Sequence, residues 1–253
     1  IGCIPIGVPT CADDICLLSS THAGAQTALL LAQDDANRER YEFSTSKTKV
    51  ILCNNNHKEK VEELKATQPL YLTGTPLDYS HQETHLGLQR SDDGSASATI
   101  KARIQVGRRV AYSLMGAGMH GLNGVNPKVS TSMIDVYVTP AVMFGLEVLH
   151  LKSSDYKELA IFHQKLLRCV LHLPKATAVP ALHLLTGSLP YEAVHHRNVL
   201  TFFVNLLHRE GCVERELLIR QLCMKDMGSN SIVTLIRRLL HQYELPNAFT
   251  LIT

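Results

Sequence analysis

Apolar residues recur every three or four positions through three long stretches of the chain's second half, the spacing of a helix with one buried face. Ile100, Ile104, Ala111 and Leu114 form the first stripe. Leu159, Phe162, His163, Leu166, Leu167, Val170 and Leu171 form the second, which Pro174 ends. Ile232, Leu235, Ile236, Leu239, Leu240 and Tyr243 form the third. Each face needs a partner to leave water, so the stripes predict a helical bundle. His163 lies on the apolar face and reads as a satisfied core histidine.

The first half has a shorter rhythm. Residues 4–18 read as a β-hairpin interrupted by Pro5 and Pro9, with Asp13-Asp14 at its turn. Thr21 can cap a helix in which Ala25, Leu29, Ala32 and Ala36 share a face. Residues 49–53, 70–73 and 85–89 read as strands, with a polar loop at 54–60 and a turn at Ser91-Asp92-Asp93-Gly94. The expected class is α+β: a small antiparallel sheet with one helix over 1–94, then a mainly helical region over 95–253. No internal repeat or low-complexity tract interrupts it.

Composition narrows the choices. The hydrophobic fraction is 45 %, ordinary for a folded chain of 253 residues. A net charge of +2 excludes wholesale electrostatic binding, so nucleic-acid contact must come from a local patch. Lys101, Arg103, Arg108 and Arg109 on the first stripe's helix form one such cluster; a solvated helix face is the plain alternative. Seven cysteines without a Cys-x-x-Cys pair read as reduced, mostly buried thiols. No apolar run approaches the roughly 18 residues of a membrane span. With no signal peptide visible, an intracellular setting, nucleus or cytoplasm, is expected. The chain opens at Ile1 inside an apparent strand, which reads as a fragment.

Adjacent carboxylates at a hairpin tip repel each other, and magnesium commonly binds one or two carboxylates plus a substrate phosphate. Asp13 and Asp14 are therefore candidate ligands for phosphoryl-transfer chemistry; an ordinary Asp-rich turn is the competing reading. Further motifs follow in order: Ala36-Asn37-Arg38-Glu39-Arg40-Tyr41, then Ser44-Thr45-Ser46-Lys47-Thr48-Lys49-Val50. His85-Leu86-Gly87-Leu88 and Arg108-Arg109-Val110-Ala111-Tyr112-Ser113-Leu114-Met115 come next.

This series resembles the C-terminal half of a reverse transcriptase from a non-LTR (LINE-like) retrotransposon, over about residues 7–207. The resemblance implies a partial polymerase palm followed by a thumb and downstream helices. It makes Ala12-Asp13-Asp14 the metal-binding hairpin, with Asp13 the direct ligand and Asp14 supporting it. It makes Lys47 the general acid for the leaving pyrophosphate, with Lys49 the off-by-two alternative. Leu86 and Gly87 would form the primer grip, and Lys101, Arg103, Arg108 and Arg109 would track nucleic-acid phosphates. The implied cofactor is Mg2+, two ions in the complete enzyme, with Mn2+ an alternative. The implied partners are an RNA template with its DNA primer and deoxynucleoside triphosphates, with no membrane. The family's third aspartate, its fingers and its first palm half belong upstream of these motifs, so the fragment is expected to be inactive alone. Cys11 stands where the family often has an aromatic residue, which puts contact with the primer end in question.

Two non-catalytic readings compete: a nucleic-acid-binding remnant, and a pseudogene product without a stable fold. Other patterns dissolve on inspection. Gly116-Ala117-Gly118-Met119-His120-Gly121 has dinucleotide-loop spacing but follows a helix rather than a strand. His81 and His85 run into a strand, where positions four apart do not converge, and His195-His196 lacks cysteines at zinc spacing.

Overall fold

A computed structural model of the chain describes residues 9–11, 13–53, 63, 66–225 and 231–251. The class is mixed α and β, 56 % helical with sheets of two strands. The chain divides into two units, Ile1–Ala98 and Thr99–Thr253.

In the N-terminal unit, β1 (Thr10–Cys11) pairs antiparallel with β2 (Asp14–Ile15). Helix α1 (His22–Glu39) starts where the Thr21 hydroxyl accepts the Gly24 N–H at 3.1 Å, a standard cap. Arg40, left-handed at φ 62°, stops it. Its Leu29 packs with Leu70, Leu72 and Leu77 in a small core. β3 (Lys49–Val50) lies parallel to β6 (Asp78–Tyr79), and β4 (Tyr71–Leu72) forms a hairpin with β5 (Thr75–Pro76).

The expected single antiparallel sheet is replaced, among the described residues, by four separate strand pairs, one of them parallel. Side chains of α1 explain part of this. The Gln26 amide accepts the Tyr71 N–H at 2.8 Å and donates to the Tyr71 carbonyl at 2.9 Å. Gln33 accepts the Thr73 N–H at 3.1 Å. These amides occupy the edge of β4 that another strand would need.

The stretch 85–89, expected as a strand, is the tip of a longer hairpin between β7 (Gln82–His85) and β8 (Leu88–Ser91). Leu86 and Gly87 both take positive φ, 50° and 75°, as a two-residue hairpin loop with the favoured twist requires. The expected strand at 49–53 is only the two residues of β3. The expectations for 4–8, Ala12 and 54–60 lie outside the described residues.

In the C-terminal unit, α2 (Ser97–Gly116) buries Ile100, Ile104 and Ala111. Helix α3 (Pro127–Met133) runs through a wide π-turn, Ile134–Val138, into α4 (Thr139–Met143). Pro140 accounts for the wide turn. It has no N–H, and its ring would strike a carbonyl four residues back in a regular helix; the Thr139 N–H instead reaches back five residues to Ile134. Helix α5 (Ser153–Val170) packs its buried stripe on α7 (Tyr191–Leu207), with α6 (Val179–Thr186) between them in sequence. Helices α7, α8 (Val213–Met224) and α9 (Ile232–Gln242) share a second core, centred on Phe203, Leu222 and Ile236.

Gly107 sits on the buried face of α2. A Cβ there would collide with Val142 and lie 3.3 Å from the Phe162 ring. The glycines of the dinucleotide-like spacing have equally local roles. Gly118 turns the chain at φ 100°, and a Cβ on Gly121 would meet the His172 backbone at 2.5 Å. The cysteine expectation needs correction: Cys11, Cys53, Cys169 and Cys223 are exposed, and Cys16 and Cys212 are half-buried. Cys11 is on the short strand β1, Cys53 is in a turn, and Cys169 and Cys223 are on helix faces away from the buried stripes, so burial does not follow from residue type. The six are free thiols.

Gly107→Ala is expected to destabilise the C-terminal unit by about 1–3 kcal/mol through overpacking, read as a lower urea midpoint. Leu86→Asn should raise stability by about 1 kcal/mol, because Asn tolerates positive φ better; at 44 % exposure, Leu86 has little packing to lose.

Candidate functional site

The β1–β2 hairpin sets Cys11 opposite Asp14 and Thr10 opposite Ile15. Asp13 is in the turn and Asp14 begins β2. Both are exposed, and neither carboxylate is in an ion pair with a described residue. Among the described residues, no cluster of three or more His, Cys, Asp or Glu side chains could enclose a metal ion.

Lys47 ends a turn in which its N–H donates to the Ser44 carbonyl at 3.2 Å, and its side chain is exposed. Lys49 differs: its ammonium meets Asp78 at 2.8 Å, and the side chain is only 26 % exposed. Of the two candidate lysines, Lys47 is the uncommitted one. No hydrogen bond or ion pair among the described residues joins it to Asp13 or Asp14, and the two segments belong to different strand pairs. Leu86 and Gly87 form the tip of the β7–β8 hairpin, with the Leu86 side chain in solvent.

The four basic residues of α2 do not act as one patch. The Arg103 guanidinium lies over the Phe144 ring, 4.6 Å from its centroid, and burial lowers its pKa. Arg109 is exposed. Lys101 and Arg108 border a groove between α2 and α5. Across it, α5 contributes Lys165, Glu158 and the exposed Ile161, while α2 adds the exposed Tyr112. Sequence reasoning missed these four. The available signal was that Tyr112 and Ile161 are large, apolar and off the buried stripes of their own helices.

The buried histidines are structural. The His163 ring stacks on Tyr191, with centroids 4.0 Å apart and planes 6° from parallel. It is a core residue as expected, yet its Nε2 has no hydrogen-bond partner among the described residues. Burial, helped by His183 nearby, pushes its pKa down to about 3. His195 is fully bonded. The Leu146 carbonyl can only accept, so Nε2 carries the hydrogen and donates at 2.9 Å; Nδ1 then accepts from the Tyr156 hydroxyl at 2.9 Å. Burial lowers its pKa to about 4 against the opposing effect of the Leu146 bond. His81 is paired with Asp92 at 2.6 Å on the surface.

His163 and His195 fold neutral, so the unfolded chain binds more protons once the pH falls below about 6.5. Their stabilisation is full above that value and is lost as the pH falls towards 4. The loss approaches about 1.4 kcal/mol per pH unit for each ring. Denaturant unfolding at pH 7, 5.5 and 4.5 should show this slope, and His163→Phe, which keeps a stacking ring, should remove one ring's share of it, with His195 and the burial-lowered His196 and His150 still contributing.

Among the described residues, no helix is long and apolar enough to cross a membrane. No family model, curated protein or solved structure matches the chain, so the chemistry of these sites rests on their own residues.

Proposed function

We propose that this chain carries the catalytic hairpin, primer grip and thumb of an RNA-directed DNA polymerase of the non-LTR retrotransposon type. The observation that carries this reading is the Asp13-Asp14 pair, two adjacent exposed carboxylates on a tight hairpin with no described cation holding either. Such a donor set fits Mg2+, which takes one or two carboxylates and completes its shell with water and phosphate oxygens; Mn2+ accepts the same oxygens. Bound there, the ions would neutralise charge on the attacking primer oxygen and the departing pyrophosphate. Two carboxylates alone make a weak site, and the described residues add no third ligand to them.

In this reading Asp13 is the direct ligand and Asp14 the supporting one. The exposed ammonium of Lys47 donates a proton to the pyrophosphate as it leaves, a role closed to Lys49 by its bond to Asp78. The Leu86-Gly87 tip approaches the primer backbone, where a glycine leaves room. Arg108, Arg109 and Lys101 meet phosphates of the RNA·DNA hybrid, giving sequence-independent and salt-sensitive affinity. Arg103, turned onto Phe144, contributes packing instead. A purely nucleic-acid-binding role is the second reading, favoured by the absence of a third described ligand beside the aspartates.

Manganese titration followed by NMR separates the two. The polymerase reading expects line broadening centred on residues 13 and 14 that disappears in Asp13→Asn/Asp14→Asn; no broadening leaves only the binding role. Both expect hybrid affinity to fall with salt, to drop in Arg108→Ala/Arg109→Ala and to stay unchanged in Asp13→Ala. The 253-residue chain alone is expected to give no primer extension. Extension that survives Asp13→Ala would overturn the assignment of the site.

A further inference from the structure

The groove between α2 and α5 has a volume of about 570 Å³ and a mainly aliphatic floor. Ile104, Phe162 and Leu166 lie nearly buried beneath it. On its two walls, Tyr112 and Ile161 stand 66 % and 51 % exposed. Single exposed apolar side chains are common on folded proteins. Two of them flanking an apolar trough are a different matter, because the trough and its rims form one continuous surface suited to a partner.

The charge around the trough is mainly positive. Lys101, Arg108 and Lys165 border it, against Glu158 as the one carboxylate in the lining. None of these three cations is in an ion pair with a described residue. The α2 wall runs from Lys101 to Met115, about 21 Å at 1.5 Å per residue, or some four helical turns.

We propose that this groove receives an amphipathic α-helix with acidic flanks from a protein partner. Apolar side chains one turn apart on that helix would cover the floor between Tyr112 and Ile161. Carboxylates on either side of that face would meet Lys101, Arg108 and Lys165. Helix-in-groove recognition has this form, with apolar anchors for affinity and charges for orientation. A nucleic-acid backbone would satisfy the cations but leave the aliphatic floor wet, so the lining favours the peptide. The proposal does not depend on the polymerase reading, because Ile161 and the floor have no part in that reading.

The probe is a fluorescein-labelled helical peptide of about 16 residues, with Leu at three- and four-residue spacing and Glu on both flanks. A scrambled peptide of the same composition is the control, and binding to the full chain is read by anisotropy. The ordered peptide is expected to bind at least about tenfold tighter than the scrambled one. Ile161→Ser, which removes the apolar anchor without adding charge, should remove about that factor while the thermal transition and RNA·DNA hybrid binding stay unchanged. Lys101→Glu/Lys165→Glu should weaken the peptide as well. Equal binding of both peptides, no binding of either, or an Ile161→Ser variant that binds normally would overturn the proposal. Loss of hybrid binding in Ile161→Ser would also overturn it and make the groove a nucleic-acid site. Peptide binding without any hybrid binding would leave the groove assignment standing and remove the polymerase reading.

Discussion

The close approach of α2 to α4 is the constraint on which the C-terminal unit depends. At Gly107 there is no room for even one carbon between the α2 backbone and Val142, with the Phe162 ring alongside. That contact fixes the height of α2 over the core, and with it the width of the groove between α2 and α5. The same contact sorts the basic residues of α2. Arg103 lies one turn before Gly107 and falls onto Phe144, just beyond the end of α4. Lys101 and Arg108 are carried to the groove edge instead. A helix that reads in sequence as carrying one cationic face therefore presents its cations in three different environments.

The bent helix beneath α2 is itself shaped by a single residue. Pro140 prevents a regular helix from passing through 134–143, and the chain responds by widening one turn rather than breaking. The helix can continue because the surrounding unit is packed on it, with Ile134, Val138 and Val142 fully buried. Packing overrides local preference here, as it commonly does where a helix face is fully buried. The His163–Tyr191 stack is another such case. A ring nitrogen without a described partner is tolerated deep in the core, which requires the ring to stay neutral and makes the unit sensitive to acid.

Much of the helical half was legible because a 3.6-residue period survives any tertiary arrangement. The stripes at 159–170 and 232–240 became the buried faces of α5 and α9, while Tyr243, expected to close the second of these, lies past the end of α9 and is exposed. Gly107 was not legible, since a glycine between apolar positions looks like a weak point in a helix rather than its closest contact. The N-terminal half was read less well for a related reason. Strands of two residues leave almost no periodic trace, and the edge of β4 is closed by Gln26, a polar helix residue whose role depends on a backbone 45 positions away. The tip at Leu86-Gly87 reads as strand from its own residues, because leucine gives no hint of positive φ, and as a hairpin only through the family resemblance. At the candidate site, the resemblance favours Lys47 with Lys49 as the off-by-two alternative; the ion pair of Lys49 with Asp78, which the sequence does not announce, separates the two physically.

The hairpin that bears Asp13 and Asp14 gains little stability of its own. Two residues per strand make a marginal unit in water, and two neighbouring carboxylates repel each other at short range. Half-buried Leu17, just past the hairpin, packs against the core around Leu29 and is the described apolar tether of this segment. A ligand that binds only the ordered hairpin would stabilise it in proportion to the logarithm of its concentration over its dissociation constant. A divalent cation would remove the repulsion in the same step. A cation bound by the pair would therefore couple its own binding to the order of the hairpin, and its affinity would carry the cost of ordering those strands.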